Sequence, residues 1–300
     1  MMQPSLSSAR DDIPEPLRSA LAEARADPEN SERWAALDEA ARECDEPDPV
    51  SALYHEVLEQ DLGAVTLLSI GERAVAFHDE WYDEPSHNIQ ILKRLTALDT
   101  GGDWAFEKLS LLLTFAERWE ELLAEYDRKL ERTKQPERRR PLLEEAARIA
   151  KDFAGQGDRA SDYLKELLLT SPDNAQLAES LQRRLERQHR HQDLIEIWGA
   201  RLSNLPPAEA LSTRVQIADR QLNELGDAVA ALRMAEEILT LDDGEDDAYR
   251  LLEQISRRET PPVGPRRRAL EILRERYASA RRPEDVIRVL ETSLGVVETE

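Results

Sequence analysis

The stretch Gly157–Asn174, which reads GDRASDYLKELLLTSPDN, decides the fold of this chain. It opens with Gly-Asp, continues as an uninterrupted helical pattern and closes on a Pro-Asp turn. The stretch Gly226–Asp243 follows the same plan and closes on Asp-Asp. Most other prolines also lie between apolar stripes, where a missing N–H costs little. Two copies of one helix-and-turn plan predict a repeated helical unit.

Apolar residues recur when the chain is compared with itself at an offset of 72 residues. The three-copy columns are Leu37 with Leu109 and Leu181, Ala41 with Leu113 and Leu185, Val50 with Leu122 and Leu194, Tyr54 with Tyr126 and Trp198, and Leu58 with Leu130 and Leu202. Because the aromatic residues stay in one column, a chance match between unrelated amphipathic helices does not explain the pattern. A two-copy column pairs Trp81 with Phe153, and Trp81 and Trp198 are expected to lie in the core. No run alternates with period two for long enough to predict a strand.

This period predicts units of four helices, or two hairpins of about 36 residues each. We expect a flexible leader over residues 1–17, with a first helix starting near Glu15, and a single solenoid over residues 18–300. Its units cover about 27–101, 102–173 and 174–244, followed by a partial unit at 245–300. Because solenoids need polar end caps, the partial unit predicts that the array continues or that its end packs on another surface.

Both Gly-Asp segments resemble the second helix and exit turn of a tetratricopeptide repeat, and Asp27–Leu37 resembles the entry turn and first helix, including Trp34. The spacing averages about 36 residues instead of about 34, and the usual Leu-Gly pair is missing. The chain therefore resembles the degenerate arrays found in large acidic bacterial proteins. The resemblance implies an all-α, right-handed α-α superhelix of tetratricopeptide-like hairpins. Stacking leads to the same fold, because one hairpin cannot bury both of its faces.

The composition excludes several classes of protein. The 300 residues include 62 acidic and 40 basic ones, for a net charge of -22, which disfavours nucleic-acid binding. No apolar run approaches the roughly 18 residues of a membrane helix. A single cysteine, Cys44, allows neither an internal disulfide nor a cysteine-based zinc site, and a cytoplasmic location is the expectation.

The sequence predicts no catalytic residue, no cofactor and no metal site. No phosphate-binding glycine loop and no nucleophile elbow occurs. The five histidines, none of which has the HExxH spacing, are His55, His78, His87, His189 and His191. His78, Asp79 and Glu80 could form one corner of a metal site, but we interpret His78 as the end of a helix in a solvated acidic turn. The chain is therefore predicted not to be an enzyme.

The negative charge is concentrated near the amino terminus, since residues 1–100 hold 22 acidic and 8 basic residues. Acidic clusters at 43–48, 79–84 and 242–247 fall at turns between predicted helices. One interpretation is a solvated surface with helix-capping carboxylates, and the other is a negative rim that steers a basic partner segment. For the second interpretation, the candidate partner-binding residues are Asp79, Glu80, Tyr82, Asp83 and Glu84. Tyr82 is expected to be exposed.

The sequence predicts a scaffold or adaptor that binds another protein on the concave face of the superhelix. A basic partner segment is the expected ligand, and self-association through the basic stretches 138–140 and 266–268 stays open. The alternative is a regulatory or structural arm of a longer protein, whose catalytic or signalling domain lies outside these 300 residues.

Overall fold

The computed structural model describes residues 13–98, 103–258 and 263–297, with side chains up to residue 294. Within these ranges the chain is helical and contains no β-strand. It forms two compact units that divide between Glu131 and Arg132. Of the predicted leader, residues 1–12 lie outside the described ranges, whereas helix α1 already begins at Glu15 because Pro16 is tolerated in a first helical turn.

The first unit consists of seven helices in the described ranges. They are α1 Glu15–Ala26, α2 Ser31–Cys44, α3 Asp48–Leu58, α4 Ala64–Trp81, α5 Ser86–Thr96, α6 Asp103–Phe115 and α7 Trp119–Arg132. From α1 to α6 each helix packs on the next, and α3 also contacts α1 and α5. Phe106 of α6 and Tyr126 of α7 are in ring contact. Contacts to the next helix and to the one after it are those of stacked hairpins.

The second unit shows the same kind of helix packing within itself. Its helices are α8 Pro136–Asp152, α9 Gly157–Thr170, α10 Ala175–Arg187, α11 His191–Arg201, a 3₁₀ turn Leu202–Asn204, α12 Pro207–Asn223, α13 Ala228–Leu241, α14 Asp246–Arg257, α15 Val263–Ser279 and α16 Pro283–Val297. Contacts of α9 with α11, α12 with α14 and α13 with α15 join one hairpin to the next. This confirms the predicted fold class, an all-α solenoid of stacked tetratricopeptide-like hairpins. None of the described helices has the length and apolarity needed to cross a membrane.

The helix ends recur along the chain as regularly as the core. Asn30 and Asn174 lie 144 residues apart, and each side chain accepts a hydrogen bond from a backbone N–H of the helix that follows. Asp45, Glu117 and His189 follow α2, α6 and α10 at intervals of 72 residues, and all three have φ between 53° and 54°. A left-handed residue ends a helix by turning the chain out of its axis.

The five predicted apolar columns form the core of both units. All their side chains are at most 7% exposed, with the exception of Leu202. Leu202 is half-buried because the chain leaves α11 in a 3₁₀ turn at that residue. Trp198 is buried as predicted, whereas Trp81 is half-buried and its column partner Phe153 is 49% exposed. Both of these aromatic residues stand at the end of a helix, where the neighbouring hairpin covers less of the side chain.

The packing of α4 on Leu95 of α5 depends on Gly71. A Cβ atom at this position would lie 2.5 Å from Cδ1 and 3.0 Å from Cγ of Leu95, which is fully buried. Gly199 in α11 offers a contrast, since a Cβ atom there would meet nothing within 4 Å. Glycine is therefore required for packing at the first position and not at the second.

We expect Gly71→Ala to lower the free energy of unfolding by about 1–3 kcal/mol, because the added methyl group overpacks the α4–α5 contact. The control Gly199→Ala should raise it by up to about 1 kcal/mol, since alanine is the better helix former. Urea unfolding followed by circular dichroism measures both. Equal effects of the two substitutions would contradict the assignment of Gly71 as a packing residue.

Candidate functional site

A polar groove lies between α2 and α4 in the first unit, and we name it the α2–α4 groove. It has a volume of about 390 Å³. Its lining consists of Asp38, Arg42, Ser69, Glu72, Arg73, Ala76, Phe77 and Glu80. Three carboxylates and two guanidinium groups surround a single aromatic side chain, so the groove suits a charged or polar occupant rather than an apolar one.

The floor of the groove is a hydrogen-bonded network. Asp38 is buried and accepts hydrogen bonds from the Tyr54 hydroxyl at 2.7 Å and from Arg73 Nη1 at 3.1 Å. Burial raises the pKa of the Asp38 carboxyl, although both hydrogen bonds oppose the shift. The Tyr54 ring stacks on Trp34 with centroids 4.7 Å apart. This network joins α2, α3 and α4 and holds the floor in one geometry.

A bidentate ion pair joins the two helices that line the groove. Arg42 Nε and Nη2 lie 2.8 and 2.9 Å from the two carboxylate oxygens of Glu80. The hydrogen bonds from Arg42 lower the pKa of Glu80 and those to Glu80 raise the pKa of Arg42. Glu72, on the same helix as Glu80, is exposed and has no ion-pair partner among the described residues. The groove therefore keeps one carboxylate available to a ligand.

The predicted partner-binding residues fall into two groups. Asp79 accepts a hydrogen bond from Asn88 at 2.7 Å and pairs with Lys108, so its charge is already compensated. Glu80 is compensated by its pair with an arginine, as described above. Asp83 and Glu84 are exposed and, within the described ranges, form no ion pair. Only these two keep the uncompensated charge that a negative rim requires.

Tyr82 is more enclosed than the sequence predicted. Its hydroxyl donates to Asp48 Oδ1 at 2.8 Å, and its ring stacks on His78 with centroids 5.4 Å apart. Partial burial is the main cause that raises the pKa of Tyr82 to about 12, and the neighbouring Asp48 contributes in the same direction. The expectation of an exposed tyrosine is corrected for this reason: the ring covers a cluster of histidines.

This histidine cluster consists of His55, His78 and His87, one from each of α3, α4 and α5. One ring nitrogen of each residue lies within 4.8 Å of the other two. The ring centroids of His55 lie 5.5 Å from His78 and 5.4 Å from His87, and the last two are 5.1 Å apart. His55 Nε2 faces His87 Nδ1 at 3.2 Å, so only one of these two nitrogens carries a hydrogen in the neutral pair.

His78 is the innermost member of the cluster, with 1% of its surface exposed. His78 lies in the last turn of α4, as predicted, but the prediction that this turn is solvated at His78 is wrong. His78 Nδ1 donates to the carbonyl oxygen of Ala74 at 2.6 Å, which leaves Nε2 as the acceptor for the Ser51 hydroxyl at 2.8 Å. Burial is the main cause that lowers the pKa of His78 to about 4, and it also lowers the pKa of His55. Both side chains are neutral near pH 7.

No motif in the sequence relates these three histidines, because they are separated by 23 and 9 residues and belong to three helices. Their one shared signal is membership of three consecutive helices in a predicted stack. Stacking brings such helices together, but the sequence alone does not specify which turns face each other.

The second unit has a polar groove of its own, with a volume of about 430 Å³, between α10, α12 and α14. Its lining includes Glu186, Trp198, Val215, Gln216, Asp219, Arg220, Asp247, Arg250, Leu251 and Gln254. Arg220 lies 3.8 Å from Glu186, and Arg250 pairs with Asp247. Each unit thus presents a groove of mixed charge between alternate helices.

Comparison with family profiles and with curated protein sequences found no match. Solved structures similar to this chain include human IFIT1 as a dimer with PPP-AAAA, with 11% identity, coverage of 94% of this chain and 77% of that one, and a TM-score of 0.30. Yeast Tom70 has 12% identity, coverage of 99% and 67%, and a TM-score of 0.26. BtubC from P. vanneervenii has 12% identity, coverage of 80% and 92%, and a TM-score of 0.23. Likenesses of this degree assign no function to the chain.

Two tyrosine hydroxyls that each donate to an aspartate allow a matched test of the groove floor. We expect Tyr54→Phe to lower the free energy of unfolding by about 1–3 kcal/mol, because the buried Asp38 carboxylate loses the hydrogen bond that the Tyr54 hydroxyl donates to it. Tyr82→Phe removes the equivalent hydrogen bond to Asp48, where water replaces the donor. Its loss of unfolding free energy should be at most a few tenths of the loss caused by Tyr54→Phe. Denaturant unfolding of both variants measures the difference. Equal losses would show that the Asp38 network does not hold the groove.

Proposed function

We propose that the chain is a non-enzymatic scaffold that binds an extended, basic segment of another protein in the α2–α4 groove. The observation that carries this proposal is the groove itself, with an ordered floor and an exposed carboxylate at Glu72 that forms no ion pair with any residue the structure describes. An extended peptide offers backbone and side-chain hydrogen-bonding groups to such a surface. Concave-face binding, as predicted from the sequence, is part of the proposal.

The charge of the surroundings supports a basic partner. Asp83 and Glu84 lie beyond the end of α4, the helix that lines one side of the groove, and add two uncompensated carboxylates. Exposed charges of one sign raise the rate of encounter with an oppositely charged segment and set its orientation. Asp79, Glu80 and Tyr82 already form hydrogen bonds or ion pairs within the chain. We propose that they hold the rim of the groove in place and do not contact the partner directly.

We further propose that the chain is built from double repeats of about 72 residues, as in large acidic bacterial proteins, and acts in the cytoplasm. The buried columns support the period, and so do the left-handed residues Asp45, Glu117 and His189, which follow the first helix of each unit. The backbone observation is independent of the apolar pattern from which the period was inferred.

Selection from a random peptide library on the immobilised chain, at low salt, tests the scaffold proposal. We expect the enriched peptides to be rich in Lys and Arg, and fluorescence anisotropy should show their affinity falling as salt rises. An absence of enriched peptides, or enrichment of acidic ones, would contradict the proposal.

A pair of double variants locates the binding surface. We expect the double variant Glu72→Lys with Glu84→Lys to weaken the binding of an enriched peptide by roughly tenfold or more, about 1.4 kcal/mol. Glu29→Lys with Glu107→Lys changes the net charge equally at two exposed positions outside the groove and should change affinity less than about twofold. If both double variants weaken binding equally, net charge rather than the groove determines it.

The alternative function, an arm of a longer protein, stays a prediction of the sequence. Immunoblotting of native cell extract with an antibody against this chain tests it, since a band well above 34.2 kDa is expected from that hypothesis.

A further inference from the structure

We propose that the histidine cluster binds one divalent transition-metal cation of the Zn²⁺ class, with His55, His78 and His87 each supplying one imidazole nitrogen. Neutral imidazole suits zinc, copper and nickel, whereas calcium and magnesium require oxygen ligands. The three side chains come from α3, α4 and α5, so the ion would cross-link three consecutive helices of the first unit.

The nitrogen positions are close to those of a tetrahedral site. With Zn–N bonds of about 2.0–2.1 Å, two ligand nitrogens lie about 3.3–3.4 Å apart. His55 Nε2 and His87 Nδ1 are 3.2 Å apart. One ring nitrogen of His78 lies within 4.8 Å of a ring nitrogen of each of the other two histidines, and the two half-buried rings of His55 and His87 can turn to close the remaining distance.

The ring positions agree with the same geometry. Three imidazole rings that point from a tetrahedral ion along their Zn–N bonds have centroids about 5.2 Å apart. The observed centroid separations are 5.1, 5.4 and 5.5 Å. Without an ion, His55 Nε2 and His87 Nδ1 share one hydrogen across 3.2 Å, so the two nitrogens already lie at the separation that a shared ion requires.

The surroundings of His78 supply the support that metal-binding histidines need. Its Nδ1–H donates to the carbonyl oxygen of Ala74, which fixes the ring and leaves the lone pair of Nε2 for the ion. The Ser51 hydroxyl that now donates to Nε2 is a rotor and can turn away. Tyr82 stacks on His78 and lies 5.1 Å from the His87 ring, so it shields the cluster from water on one side.

Three protein ligands leave the fourth position of a tetrahedral ion to water or to a group from outside the chain. The site is separate from the α2–α4 groove, so its existence does not depend on the proposed peptide binding. Its direct effect is on the stability of the first unit, because a ligand that binds only the folded state raises the unfolding temperature.

Isothermal titration of the untagged full chain with Zn²⁺ at pH 7.5 tests the proposal. We expect one ion per chain and an unfolding temperature that rises with Zn²⁺ concentration and returns after EDTA treatment. Substituting Co²⁺ should give the visible absorption bands of a tetrahedral ion. His87→Ala, at a half-buried position, should weaken Zn²⁺ binding at least tenfold, as should the independent variant His55→Gln.

A matched control uses the other two histidines. His189 and His191 lie in the second unit with ring centroids 6.0 Å apart, and the double variant His189→Ala with His191→Ala should leave Zn²⁺ affinity unchanged. The proposal is overturned if the native chain binds no Zn²⁺ at millimolar concentration. It is also overturned if His87→Ala and His55→Gln, shown to be folded by circular dichroism, bind Zn²⁺ as tightly as the native chain.

Discussion

Packing between one helical hairpin and the next is the constraint on which the rest of this structure depends. A hairpin of about 36 residues has two apolar faces and too little mass to bury both, so each face needs a neighbour. Leu37, Leu109 and Leu181 are fully buried because each lies where successive helices meet. The grooves and the histidine cluster arise from the same stacking, because it places helices that are not adjacent in sequence side by side.

The apolar periodicity was sufficient to predict the fold class and most of the core. Burial depends mainly on which side of a helix faces the next hairpin, and that information is local. The prediction fails at Leu202 and at Phe153, where the chain leaves its helix and the period no longer fixes the side-chain direction. The predicted start of the first helix near Glu15 agrees with α1, whose first turn contains Pro16.

The candidate site was predictable only in part. The acidic residues at 79–84 are visible in the sequence, but the partners that compensate two of them are not: Arg42 pairs with Glu80 across 38 residues and Lys108 with Asp79 across 29. Composition counts charges, whereas a binding surface depends on which charges remain unpaired. The histidine cluster was missed for the same reason, because no short motif records the convergence of three helices.

The side-chain bridges between helices also bear on how quickly the chain folds. Arg25 reaches Glu56 across 31 residues, and Lys165 reaches Asp193 across 28. Each bridge closes a loop about as long as one hairpin, so the entropic cost of forming it is modest. Domains dominated by such local contacts have low contact order and fold within about microseconds to milliseconds. An assembly of this kind is able to form hairpin by hairpin as the chain emerges, each new pair of helices docking on the one before it.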